Sequence, residues 1–219
     1  MTNLSYVTVL DVAVGALVLF AVLLVWRRDL ATLVRLLASQ GVALALIPIT
    51  LAAHRHDGRL LAVGIGVLLL RAVILPRVVA TVLRGEQAPR ETRPLLNTAA
   101  SLLSVAALVI LAYAVSRPIV DLDPTPATDA APLAIAVVLT GVFMLVTRRR
   151  ALSQVVGFLM LDNGIAALAF LLTAGVPLIV ELGASLDVLL AVLVLQILTG
   201  RMRIKFGGTD LDELTELHD

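Results

Sequence analysis

Apolar residues in this chain run for about 20 positions at a time, and the polar residues gather between the runs instead of recurring inside them with helical spacing. With charges, prolines and glycines as punctuation, seven runs emerge: Leu4 to Trp26, Leu30 to Ala53, Leu60 to Leu83, Thr98 to Ser116, Ala131 to Thr147, Ala151 to Ala174 and Leu178 to Thr199. Each has the length that a helix needs to cross a hydrocarbon layer about 30 Å thick. The pattern predicts an all-α polytopic membrane bundle of about seven transmembrane helices. The first run lacks an early basic region and a small-x-small cleavage pattern, so it is expected to be a retained span and not a signal peptide.

Composition removes the soluble alternative. With 60% hydrophobic and only 15% charged residues, and a mean hydropathy of +1.03, the chain falls in the membrane class. Where the charges lie then predicts orientation. Arg27 and Arg28 follow the first run, Arg84, Arg90 and Arg93 the third, Arg148, Arg149 and Arg150 the fifth, and Arg201, Arg203 and Lys205 the seventh. All four clusters fall on one side of a seven-span chain. The other side carries "HRHDGR", the acidic segment "RPIVDLDPTPATDA" and the short "GVP" connection from Gly175 to Pro177. An excess of Arg and Lys marks the cytoplasmic side, which puts the N-terminus outside and the C-terminus in the cytoplasm.

Much chemistry is excluded by what is missing. Cysteine is absent, so the chain has no disulfides, no thiolate zinc site and no cysteine-ligated iron-sulfur cluster of its own. His54 and His56 sit at the end of the second run and His218 sits in the tail, so no histidine pair occupies the depth of a membrane haem; an ordinary polar loop is the expectation for His54 and His56. No cofactor, metal or catalytic residue is predicted. The basic clusters are short and abut spans, which suits membrane orientation and not nucleic-acid binding.

The informative residues are the ionisable ones inside the runs: Arg71, Asp162, Glu181 and Asp187. An Asp or Arg at the centre of a span costs about 2.5 to 3.5 kcal/mol, and a Leu or Val offsets only about 0.3 to 0.6. Such residues are therefore expected to face the protein interior, a partner subunit or a wet cavity. At 1.5 Å per residue from the "GVP" turn, Asp162 and Asp187 reach comparable depth near the mid-plane, and Glu181 lies about one turn below the surface. Arg71, in "LLLRAVILPRVV" shortly before Pro76 and Arg77, keeps its charge and needs an anionic or carbonyl partner, for which a carboxylate of the last hairpin is the natural candidate. Gln40, Gln154, Asn163 and Gln196 add neutral hydrogen-bonding groups able to hold water between such charges. Two readings follow. In one, Asp162, Glu181 or Asp187 and Arg71 belong to a proton path; in the other they are structural ion pairs, the reading favoured for Asp11, Arg35 and Gln154.

The stretch "QVVGFLMLDNGIAALAFLLTAGVPLIVELGASLDVLLAVLVLQIL", with the later "FGGTDLDELTEL", resembles component E of hydrogenase-4, the family of membrane subunits of group 4 nickel-iron hydrogenases and formate hydrogenlyases. "NGI", "GVPLIVELGASLDVL" and the closing "D-x-x-x-L" carry the resemblance from Gln154 to Leu217, and "LLRAVILP" adds a looser match. The resemblance implies a division into four N-terminal helices over 1–130, a three-helix unit over 131–200 similar to the K-type subunit of complex I and the C-type subunit of multi-subunit sodium/proton antiporters, and a cytoplasmic tail over 201–219. It further implies a non-catalytic subunit of the bacterial or archaeal cell (inner) membrane, contributing buried carboxylates to proton or sodium translocation. Its implied partners are antiporter-like and quinone-chamber-like (H-type) membrane subunits and soluble hydrogenase-like large and small subunits, which would hold any nickel-iron centre and iron-sulfur clusters. Asp162 matches a position where that family usually has glutamate, and either Glu181 or Asp187 matches the acidic residue of the last helix. In the tail, Thr209 and Asp212 form a capping-box pattern ahead of Leu211, Leu214 and Leu217, as in a short amphipathic helix.

Overall fold

The computed structural model describes residues 3–83, 96–122 and 124–173, and over that range it is a bundle of helices. Six of them, or continuous helical stretches, are long and apolar enough to cross a membrane: Asn3–Trp26, Leu30–Arg55, Gly58–Thr81, Thr98–Leu122, Pro126–Thr147 and Leu152–Leu172. They coincide with the first six predicted runs to within a few residues at most ends. The chain is an integral membrane protein. The seventh run, the "GVP" turn, the two basic clusters that follow the third and seventh runs, and the amphipathic tail lie outside the described residues.

Local chemistry sets the boundaries. Helix α1 (Asn3–Trp26) ends where the apolar run meets two arginines, and the Arg27 guanidinium lies 4.9 Å from the centre of the Trp26 ring. Its buried residues Leu10, Ala13, Val14, Leu17, Ala21 and Leu24 recur at three- and four-residue steps and turn one face to the bundle. Asp29 caps α2 (Leu30–Arg55) by accepting the Thr32 amide at 2.9 Å, and His56 stops it in a left-handed conformation, φ 55°. At this end the His54 ring stacks on Tyr6 of α1, 4.2 Å between centres. Asp57 then caps α3 (Gly58–Val67) by accepting from the Arg59 and Leu60 amides.

The third span is not uniform. Between α3 and α4 (Leu75–Leu83), residues Leu68–Ile74 form a π-helical turn, in which the Leu75 amide bonds back to the Leu70 carbonyl, five residues away. Pro76 supplies the cause, because its ring has no N–H and collides with the carbonyl four residues earlier, so the backbone ahead of it widens.

Helix α5 (Thr98–Leu122), capped by Asn97, stands at the edge of the bundle and buries only Ser101, Val105, Ala112 and Ser116. Here the structure departs from the pattern. The apolar run stops at Ser116, but the helix continues through Arg117 and Pro118 to Leu122, and a single turn, α6 (Pro126–Asp129), follows, capped reciprocally by Thr125 and Thr128. Hydropathy records where lipid ends, whereas a helix has no need to stop there.

Helices α7 (Ala131–Thr147) and α8 (Ala151–Thr173) form a tight antiparallel pair. A Cβ at Gly141 would lie 2.7 Å from the Leu161 backbone, and one at Gly164 would lie 2.7 Å from the Val138 amide, so both positions admit only glycine at this spacing. Arg148, buried after α7, donates to the Val25 carbonyl of α1, and Arg28 donates to Thr98 Oγ1 at 3.0 Å. The turns after α1 and α7 and the start of α5 thus gather at one end of the bundle.

Candidate functional site

Four polar side chains meet near the middle of three spans. Asp162 is the central residue of the 23-residue α8, Asn163 follows it, Arg71 lies in the π-helical turn, and Gln40 lies in α2. Arg71 Nη1 is 2.7 Å from Asp162 Oδ2 and also donates to Asn163 Oδ1 at 2.7 Å. Asn163 Nδ2 donates to Gln40 Oε1 at 3.1 Å, and Gln40 Nε2 donates to the Leu17 carbonyl of α1 at 3.3 Å. One connected polar chain therefore links α8, the π-helical turn, α2 and α1.

Burial grades along that chain. The Arg71 side chain is 1% exposed and Gln40 and Asn163 are buried, but the Asp162 side chain is 15% exposed, so the carboxylate stands at the margin of the network. It borders the outer stripe of α8 formed by Phe158, Ile165 and Leu172. An arginine that keeps its charge at this depth is stable only with its partners in place, because each charge removed from water needs compensation by attraction and hydrogen bonds. Asp162 supplies the charge and Asn163 a neutral acceptor.

Backbone geometry sets up the contact. The wide turn before Pro76 carries Arg71, and α2 approaches that turn at Gly41, where a Cβ would sit 2.6 Å from the Arg71 carbonyl oxygen. Neither the π-helical turn nor the role of Gly41 is evident from composition. The signals for them are Pro76 within a span and a glycine beside the mid-span Gln40. Below the network, Val34, Leu37, Leu75, Val79, Val155 and Leu159 form a small apolar cluster between α2, α4 and α8.

The other singled-out residues lie elsewhere. Gln154 Nε2 donates to the Arg148 carbonyl at 2.9 Å and so ties the turn between α7 and α8, away from the network. Arg35 reaches back to the Ala31 carbonyl, and Asp11 is exposed on α1. Glu181, Asp187 and Gln196 lie outside the described residues. Among the described residues, no group of three His, Asp or Glu side chains is arranged to hold a metal.

Comparison with known proteins adds a lineage. The chain is 56% identical, over 100% of both lengths, to a protein of Mycobacterium tuberculosis named "Uncharacterized protein Rv0085". The chain belongs to that protein's family. More distantly, it is similar to hydrogenase-4 component E of Escherichia coli and of Shigella flexneri, 26% identical over 180 residues, which cover 82% of this chain and 83% of each relative. No family model matches the chain, and no solved structure matches it.

Proposed function

We propose that the chain is a non-catalytic membrane subunit of a hydrogenase-like, complex-I-like assembly, and that its buried network takes part in moving protons or sodium ions when soluble subunits carry out redox chemistry. The distant similarity to hydrogenase-4 component E supports the first half. One observation carries the second: a carboxylate at mid-span, Asp162, paired with the buried Arg71 and standing at the exposed margin of a polar chain that crosses the bundle. Charges at this depth are costly, and in membrane proteins they mark ion paths and relays. The reading includes an N-terminus outside, a C-terminus in the cytoplasm, a seventh span over Leu178 to Thr199, and Glu181 or Asp187 as the next acidic site.

Asp162→Asn tests it, because asparagine keeps an acceptor for Arg71 and loses the exchangeable charge. The complex carrying this variant is expected to retain its subunits and its redox turnover while translocating fewer ions per electron in sealed vesicles. Undiminished translocation would refute the role. A passive anchor is the second reading, favoured by the direct contacts that run from Asp162 through Arg71, Asn163 and Gln40 to the Leu17 carbonyl. It predicts that Arg71→Ala releases neighbouring subunits while Asp162→Asn leaves transport unchanged.

A further inference from the structure

The far end of α5 forms more than a lipid-facing surface. Where its last turns meet the segment before α7, Val109, Ile110, Tyr113, Arg117, Asp121 and Asp129 are among the residues that line a cavity of about 470 Å³, a volume within the usual range of small-molecule sites. Depth gives this cavity two halves. α5 begins at Thr98, held by Arg28, and at 1.5 Å per residue Arg117 lies about 28 Å further along, at the opposite edge of an apolar layer about 30 Å thick. Val109 and Ile110 lie about 11 Å back toward the middle of the span. The rim is thus at headgroup level and the floor at acyl-chain level, with Tyr113 between them, as amphipathic rings are placed at membrane interfaces.

The rim carries both signs of charge. Arg117, Asp121 and Asp129 are all exposed, and among the described residues no ion pair joins the guanidinium to either carboxylate. Separate positive and negative groups over an apolar floor match a ligand that is itself zwitterionic and has hydrocarbon chains. We infer that this cavity binds one phospholipid with a primary-amine headgroup, its phosphate on Arg117, its ammonium on Asp121 and Asp129, and its upper acyl carbons on Val109 and Ile110. Guanidinium groups suit phosphate oxygens, and an ammonium offers three N–H donors to carboxylates. A choline headgroup has the charge without the donors. An anionic glycerol headgroup has the phosphate but brings no cation to the two carboxylates, and free phosphate would leave the apolar floor unfilled.

The test uses the purified full chain in mild detergent, titrated with phosphatidylethanolamine, phosphatidylcholine or phosphatidylglycerol of identical acyl chains, with bound lipid counted by native mass spectrometry. One phosphatidylethanolamine per chain is expected, half-saturating at about tenfold lower concentration than either competitor, the scale of one charge-assisted hydrogen bond. The double variant Asp121→Asn with Asp129→Asn is expected to lose the preference over phosphatidylcholine, and Arg117→Gln to weaken all three lipids. Equal retention of the three lipids by the unaltered chain would overturn the proposal, and so would an undiminished preference in the folded double variant. The comparison on the unaltered chain decides the matter even if a variant fails to fold.

Discussion

Gly41 and Arg71 meet across α2 and the π-helical turn at a distance that leaves no room for a side chain: a Cβ on Gly41 would lie 2.6 Å from the Arg71 carbonyl oxygen and 2.9 Å from the Ala72 amide nitrogen. The obstructing atoms are backbone, so they cannot swing aside. Gly41→Ala is therefore expected to push α2 off the turn and to lower stability by about 1 to 3 kcal/mol, the scale of overpacking in a well-filled core. Thermal unfolding of the purified chain in micelles, followed by circular dichroism, measures it.

Loss of either partner in the Arg71–Asp162 pair is expected to be unequal in its effect. An orphaned carboxyl can shed its charge by binding a proton, but an orphaned guanidinium cannot. Asp162→Leu should therefore destabilise more than Arg71→Leu, toward the upper part of the about 3 to 5 kcal/mol seen when a buried pair is broken. The double variant Asp162→Leu with Arg71→Leu should recover part of that loss. Denaturant titration of the four proteins completes the cycle, and equal single-variant losses would contradict the asymmetry.

The glycines of α7 and α8 should separate from those on open surfaces. Gly164→Ala would set a Cβ 2.7 Å from the Val138 amide, whereas a Cβ at Gly15 meets nothing within 4 Å. Gly164→Ala is expected to lower the unfolding temperature clearly. Gly15→Ala should leave it unchanged or raise it, since alanine in an open helical position is favoured by about 0.5 to 1 kcal/mol.

At the turn after α1, Asp29 accepts both the amide and the hydroxyl of Thr32. Asp29→Ala removes the cap of α2 and is expected to cost about 1 kcal/mol, with Asp29→Asn losing much less. Faster hydrogen exchange confined to the first turn of α2 would locate the effect there.

The spans and the network were unequally legible in the sequence. Runs of the right length between arginine clusters are enough to place six helices, because lipid tolerates nothing else over that distance. The cost of charge in hydrocarbon draws attention to Arg71 and Asp162, and their partners Asn163 and Gln40 stand out as amides in oily surroundings. Two things were not legible. The sequence suggests water between these groups, whereas the structure joins them directly, an outcome that depends on how closely α2, α8 and the π-helical turn approach. And the end of α5 was hidden because Arg117 and Pro118 resemble a helix end once the apolar run stops.

A permanently protonated side chain beside Asp162 changes what occupation of that carboxylate means. On the proposed role, a visiting cation has to displace a resident one, so traffic at this position would be an exchange and not an addition. The resident is mounted on the one π-helical turn of the described spans, whose backbone packs closely on Gly41 of α2. On the proposed role, release of the guanidinium from that turn, and not the acidity of a carboxyl alone, would set the threshold for occupation.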